Sequence, residues 1–474
     1  MDNLTYFDFV SFDLITLIIS SFDNDSLSNF LNFYGTTDFN WNYIYFLHFK
    51  RFIYLYEYYG LNLSYKEYYD YLSIEKLKSI FNIEGETRAD LLRTREISKI
   101  KSDTKLTVIP KEIGLLINLS KLIINNAGLE NIEELYQLIN LEVLNLRHNK
   151  IKKISDNIIN LKQLRSLLLD FNNVSNISNN LYALSSLVAL TFYENNVNYL
   201  SDDVLNLLNL KDLVIGKNPI ERMPTDLTIL NKLKVFNINS IKILKDLALP
   251  KITMLYAADS FFRDIPDNII NAKELEFIFM PFNGITRITT EFDNKPNLRI
   301  LALFNNEITE FHIKSVNDLI RINLRENQLN KFPESVLSLH RLKVLNLSYN
   351  KISEIPINIS NLQRLDVLIL HHNNITSISL NNPNINIKTL IINNNNLNHI
   401  DVNPNIRTLS IYRNKINDFS FINRLINLRN LIIDSKQKKI IDEFNLRNVN
   451  IYIIDNSNEL EKKLPEDLYN LFYE

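Results

Sequence analysis

One frame recurs through most of this chain and leaves few folds open to it. The string Leu141-Glu-Val-Leu144-Asn-Leu146-Arg-His-Asn149-Lys-Ile151 returns as Leu164, Leu167, Leu169, Asn172 and Val174. It returns again as Leu298, Leu301, Leu303, Asn306 and Ile308, and as Leu342, Leu345, Leu347, Asn350 and Ile352. The pattern is L-x-x-L-x-L-x-x-N-x-[LIV]. Its Asn position is filled by Asn149, Asn172, Asn195, Asn218, Asn283, Asn306, Asn327, Asn350, Asn373, Asn395 and Asn414, with Ala127, Ile241, Ser260 and Lys436 as exceptions. Eight of the fourteen intervals are 23 residues and the rest run from 19 to 22, so the repeat is a structural unit and not a chance clustering of leucine. A degenerate unit around Ile97 and Ile100 opens the array, and Val449 to Ile454 closes it.

Leu-x-Leu is period-2 patterning, so Leu144 and Leu146 point inward from a short strand while Val143, Asn145 and Arg147 point out. After the Asn the chain turns back along a second side. The Ile-x-x-Ile-Pro type segments ending at Pro110, Pro266, Pro333 and Pro356 do this, proline fixing φ where that side begins. An Asn amide both donates and accepts, so inside the turn it satisfies backbone groups that burial would leave unpaired. No single unit buries its aliphatic wedge alone, and only the stack is stable. The frame resembles the leucine-rich repeat family. That resemblance implies an α/β solenoid: a curved parallel sheet on the concave side, and short helices, 3-10 turns or loops on the convex side. Strands at about 4.8 Å spacing give a concave arc on the order of 70 Å for roughly fifteen repeats. The ladder is interrupted at Ile241 and Ser260, so the array is expected to bend or loosen between Asn237 and Phe262.

The outward strand residues read as mostly small or polar, with one exception. Met254 and Tyr256, Phe277 and Phe279 with Pro281, and Ile300, Ala302 and Phe304 form an apolar patch over three successive strands, with Arg321 and Arg325 on the next. Aromatic anchors bordered by arginine are the composition of a protein-binding hot spot. The alternatives are that the patch packs against the chain's own N-terminal segment, or that the frame is out of phase in this irregular region. Tyr193, His371 and Tyr412 point outward singly and read as secondary contacts.

Composition closes several chemistries. Cysteine is absent, and only 7 glycines are present, with no phosphate-cradling glycine loop. Lys plus Arg (52) nearly balance Asp plus Glu (54), so no global field draws the chain to nucleic acid or an acidic membrane. The seven histidines form no compact ligand set, and His371-His372 reads as a pair of solvated turn residues. No nucleophile motif stands out. A non-enzymatic protein with no cofactor and no metal site is expected. Leu14 to Ile19 is too short to span a bilayer and follows acidic residues, which points to an intracellular chain.

Residues 1–85 change to helical spacing and become rich in Tyr and Phe, so they form a separate α-helical module or N-terminal cap; 91–456 are the repeats and 457–474 a short C-terminal helical cap with Leu460, Leu464, Leu468, Leu471 and Phe472 around Pro465. Ser64-x-x-Glu67 is a capping box ahead of one helix, Ser73 is a cap candidate for the next, and residues 82 to 90 read as a connection. The run from Phe12-Asp13-Leu14-Ile15 through Ile18, Phe22, Asp25, Leu27 and Leu31 to Trp41 resembles an F-box over residues 8 to 50. The resemblance implies a module that docks a Skp-type subunit of a cullin ubiquitin ligase through Phe12, Ile15, Ile18 and Leu27. Together the parts resemble F-box and leucine-rich-repeat proteins of amoebae or large DNA viruses. Two readings follow: an adaptor whose repeats recruit a target to that ligase, or an intracellular repeat scaffold or signalling regulator without a ubiquitin link.

Overall fold

Alternating aliphatic residues become short parallel strands, one per repeat, because Leu-x-Leu buries one face of each three-residue strand and leaves the other available. The computed structural model describes residues 65–81, 83, 88–98, 106–242, 247–289, 292, 293, 295–444, 446, 448–455 and 463–470. The F-box-like segment lies outside these residues, and so do Leu460, Leu471 and Phe472. The chain divides into two compact units, Met1–Asn145 and Leu146–Glu474.

In the first unit a helix, Tyr65–Ile80, runs without a break through Ser73. Ser73 is buried inside it, so it does not cap a second helix; no Gly or Pro intervenes to stop the first one. The 82–90 connection also ends early, because the helix Arg88–Arg93 has already begun, with Leu91 buried. Strands Glu96–Ile97, Lys121–Ile123 and Val143–Asn145 then pair in parallel, placing Ile97 beside Leu122 and Leu122 beside Leu144.

The second unit contributes fourteen described strands to its parallel sheet, from Ser166–Leu168 to Asn450–Ile453. Register is direct throughout: Leu167 pairs with Leu190, Ile278 with Leu301, Leu301 with Ile322, and Ile322 with Leu345. All of these are fully buried and form the aliphatic spine that the frame requires. Each such side chain contributes about 1.5–3 kcal/mol by leaving water. On the return side, Pro333 and Pro356 precede the 3-10 turns Glu334–Ser338 and Ile357–Asn361, and Pro266 precedes the helical turn Asp267–Asn271.

The Asn side chains tie successive turns together. Asn172 Nδ2 donates to the carbonyls of Leu146 and Leu169 at 2.9 Å each, while its Oδ1 accepts from Ile151 N at 3.0 Å. The same three contacts recur at Asn195, Asn218, Asn350 and Asn373, so each rung ties its own turn to the turn before it. Gln437, one place beyond Lys436, supplies the last rung by donating to Ile411 O at 3.0 Å from within an Asp434–Gln437 capping box. A second row, which the frame does not reveal, runs along the return side: Asn209 Nδ2 reaches Ser185 O at 2.8 Å and Asn427 Nδ2 reaches Pro404 O at 3.2 Å.

The sheet does not loosen where the ladder is interrupted. Val235 pairs with Met254 and Asn237 with Tyr256, and Ser260 Oγ takes over two carbonyl contacts, to Ile238 O and Ala258 O. The strands keep their register across the shorter interval. Gly216 holds the sheet close at this point: a Cβ there would stand 2.5 Å from Asn237 Oδ1 and 2.8 Å from Asn239 N. Because the nearby backbone group cannot give way cheaply, Gly216→Ala is expected to cost about 1–2 kcal/mol in chemical denaturation, in the range of an overpacked site.

Candidate protein-binding face

Strand pairing brings the sequence-predicted patch together. Met254, Phe277 and Ile300 are register partners, as are Tyr256, Phe279 and Ala302. The rings then touch: Tyr256 and Phe277 lie 5.0 Å apart, Tyr256 and Phe279 5.9 Å, and Phe279 meets Phe304 edge-on at 5.6 Å. Such pairs add about 0.5–1.5 kcal/mol beyond the area they bury. Met254 is 39% exposed, Tyr256, Phe277, Phe279, Ile300 and Phe304 are half-buried, and Ala302 is buried beneath them. Burial lifts the Tyr256 phenol above its usual range, which keeps it a neutral donor.

One member of the patch is not visible in the repeat frame. Phe282, 52% exposed, packs edge-on against Phe304 at 5.4 Å and extends the patch over the sheet edge. It holds φ +54, as the residue before the Asn position does in repeat after repeat: His148, Phe171, Glu194, Lys217, Ser240, Asp259, Tyr349 and His372 all lie between +51 and +62. Asn and Asp tolerate this left-handed conformation; a bulky side chain adopts it at a cost. The left-handed turn is the signal that marks Phe282, since it sends the side chain back toward the strand face.

Arg321 sits beside Ile300 in register. Arg325 donates to Glu326 Oε1 at 2.6 Å, and its guanidinium lies 5.1 Å from the Tyr349 ring. Tyr349 in turn stacks on His372 at 4.1 Å. His371 and His372 are not solvated turn residues: His371 is buried, and the left-handed turn at His372 brings the two Nδ1 atoms to 2.8 Å. Burial, then the charges of Arg413 and Arg325, push His372 down to about 4, so it is neutral at pH 7. Among the described residues no group of three or more His, Asp or Glu is placed to hold a metal ion, and no helix is long and apolar enough to cross a membrane.

Two further stretches of the same face differ from the sequence expectation. Near the start of the second unit, Asp170 accepts from Arg147 Nε at 2.5 Å, Thr191 Oγ1 at 2.9 Å and Tyr193 N at 2.9 Å. Above it His148 stacks on Phe171 at 4.3 Å, Phe171 meets Tyr193 at 5.7 Å, and Lys217 lies 5.4 Å from the Tyr193 ring, so Tyr193 is part of a group and does not stand singly. Toward the C-terminus Tyr412 is fully buried in a cluster with Ile369, Ile391, Ile432, Ile454 and Leu464. The outward residues there are therefore apolar and covered, not small or polar, and Tyr412 offers no secondary contact. Leu464, just ahead of the helix Glu466–Asn470, reaches the strand face and not only the last strand's edge.

A leucine rich repeat family model matches residues 317–375. Among solved structures, a leucine-rich repeat protein of Leptospira interrogans superposes with a TM-score of 0.60 at 23% identity, over 77% of this chain and 97% of that one. The leucine-rich effector protein YopM of Yersinia pestis gives 0.57 at 20% identity, over 72% and 89%. The plant peptide hormone receptor RGFR1, in complex with RGF2, gives 0.54 at 23% identity, over 76% of this chain and 64% of the receptor. No curated protein matches the chain. With the sheet described above, these likenesses establish a leucine-rich-repeat solenoid.

Proposed function

We propose that this chain is a non-catalytic, intracellular protein-binding adaptor whose strand face takes a partner on Met254, Tyr256, Phe277, Phe279, Phe282, Ile300 and Phe304, with Arg321 and Arg325 at the border. The observation that carries this reading is the ring-to-ring contact of residues from three consecutive repeats on a face that remains accessible. Half-buried aromatics fixed by their neighbours lose little freedom when a partner covers them, which is the physical basis of a hot spot. A fold of this kind in RGFR1 is complexed with the peptide hormone RGF2, so a peptide on such a scaffold has precedent. Phe279→Ser is expected to leave thermal unfolding within a few degrees of wild type and to weaken partner capture by about tenfold or more. Proximity labelling with the two proteins checks this: an identical set of labelled neighbours assigns the binding to another surface.

The finer reading attaches the adaptor to a ubiquitin ligase, and it is supported by the F-box-like run of Phe12, Ile15, Ile18 and Leu27. A purified Skp-type subunit is expected to bind the full chain and to lose the Ile15→Asp, Ile18→Asp variant. No binding, where a known F-box protein binds, leaves the scaffold without a ubiquitin link.

A further inference from the structure

The row of outward residues that forms the floor of the patch continues past it in direct register: Phe277 beside Met254, Met254 beside Val235, and Val235 beside Asp212. Asp212 is half-buried between Ala189 and Val235. Acids elsewhere on this face are partnered. Asp170 holds Arg147 and Thr191, Glu194 holds Lys217, Asp259 accepts from Ser240, Glu326 holds Arg325 and Asn305, and Asp434 caps a helix. Among the described residues the Asp212 carboxylate has no such partner, and the one charge that acts on it is that of its chain neighbour Lys211. An ionised carboxylate flanked by Ala and Val loses hydration and gains no hydrogen-bond partner in exchange. Burial accordingly raises its carboxyl above the ordinary range. A cation placed against it by a partner relieves that cost.

The geometry points to Asp212 as the seat for a basic side chain carried by the same partner segment whose apolar residues the aromatic patch receives. This rests on the protein-binding reading and adds to it the chemistry and polarity of the partner. At about 4.8 Å per strand, Asp212 stands roughly 10 Å from Met254 and 14 Å from Phe277. The occupant is thus a peptide segment of another protein with Lys or Arg about three to four residues from its apolar anchor if extended, or about seven to nine if helical. The apolar floor supplies affinity, and the carboxylate fixes which way round the segment lies.

The test is a displayed library of random peptides selected on the full chain, with Phe277→Ser, Phe279→Ser and Asp212→Asn as comparison baits. Peptides that need both phenylalanines are expected to share an apolar anchor and a basic residue at one of those spacings. Asp212→Asn is expected to weaken them about tenfold with unfolding unchanged, and selection on Asp212→Lys is expected to replace the basic residue by an acidic one. Peptides that depend on Phe277 and Phe279 but carry no basic preference, or that bind Asp212→Asn equally well, overturn the role of Asp212 and leave the patch standing. Should no selected peptide depend on the phenylalanines, the patch itself fails and the Asp212 assignment falls with it.

Discussion

Asn306→Ala is expected to cost about 3 kcal/mol of stability, and to do so through sharing between rungs. Asn306 Oδ1 accepts from Ile285 N at 3.2 Å, and Nδ2 donates to the carbonyls of Met280, Leu303 and Phe304 at 3.1, 2.9 and 3.3 Å. Removing the side chain orphans the Ile285 N–H outright, which costs about 1–3 kcal/mol when buried. The carbonyls fare better, because Met280 O still accepts from Asn283 and Leu303 O still accepts from Asn327. That sharing makes a second, sharper expectation. In Asn283→Ala, Asn306→Ala both Asn donors to Met280 O are gone, so the double variant should lose about 1 kcal/mol more than the two single losses combined. Urea denaturation of the four proteins measures it. Strict additivity would mean that the rungs act independently and that the ladder is a set of separate turns. Amide exchange should quicken first around Ile285 and Phe304, since a solenoid transmits a local defect mainly to its neighbours.

Much of the ladder is legible in the amino-acid sequence alone. The frame fixes which leucines face inward and where each Asn falls, because both follow from strand period and repeat length. Phe277, Phe279 and Phe304 sit on one face for the same reason. The rest is set by angles and contacts that a pattern of letters does not carry. Phe282 and His372 are unreadable because a left-handed turn overrides strand alternation at one residue per repeat. His371 and Tyr412 count as outward by position, and they do face away from the spine, but burial depends on what lies across that face, and Leu464 reaches it from far along the chain. The interruption at Ser260 reads as weakness only if a lost Asn is equated with a lost rung; its hydroxyl, with the right reach, replaces half of an amide. Asp212 carries no mark in the sequence because an unpartnered acid is defined by its neighbours in space.

Lys295 makes the second large expectation, and its sign comes from the same kind of accounting. Its side chain is fully buried, and Nζ donates to the carbonyls of Ile269, Ile270 and Ala272 at 2.7, 2.9 and 3.0 Å, closing the C-terminal end of the turn Asp267–Asn271. Three charge-assisted bonds to a helix end are worth about 1.5–3 kcal/mol each, against a desolvation cost that pushes the ammonium down to about 8 from its usual 10.5. The ammonium is thus less well solvated in the fold than in water, but a methionine would leave the buried carbonyls of Ile270 and Ala272 without these donors, so Lys295→Met is expected to lose about 2 kcal/mol at pH 7 in spite of keeping the aliphatic volume. The pH dependence runs the other way. Below pH 8 both folded and unfolded chains carry the proton, and the burial cost is fully present. Between about 8 and 10.5 the unfolded chain still holds the proton that the folded one has released, so raising the pH favours the folded chain and the Lys295 contribution rises. Other lysines and tyrosines also titrate there, which makes the comparison with Lys295→Met the measurement: the stability gap between wild type and variant should widen from about pH 8 to about pH 10. A gap that stays constant across that window would mean the ammonium is as well solvated by its three carbonyls as by water.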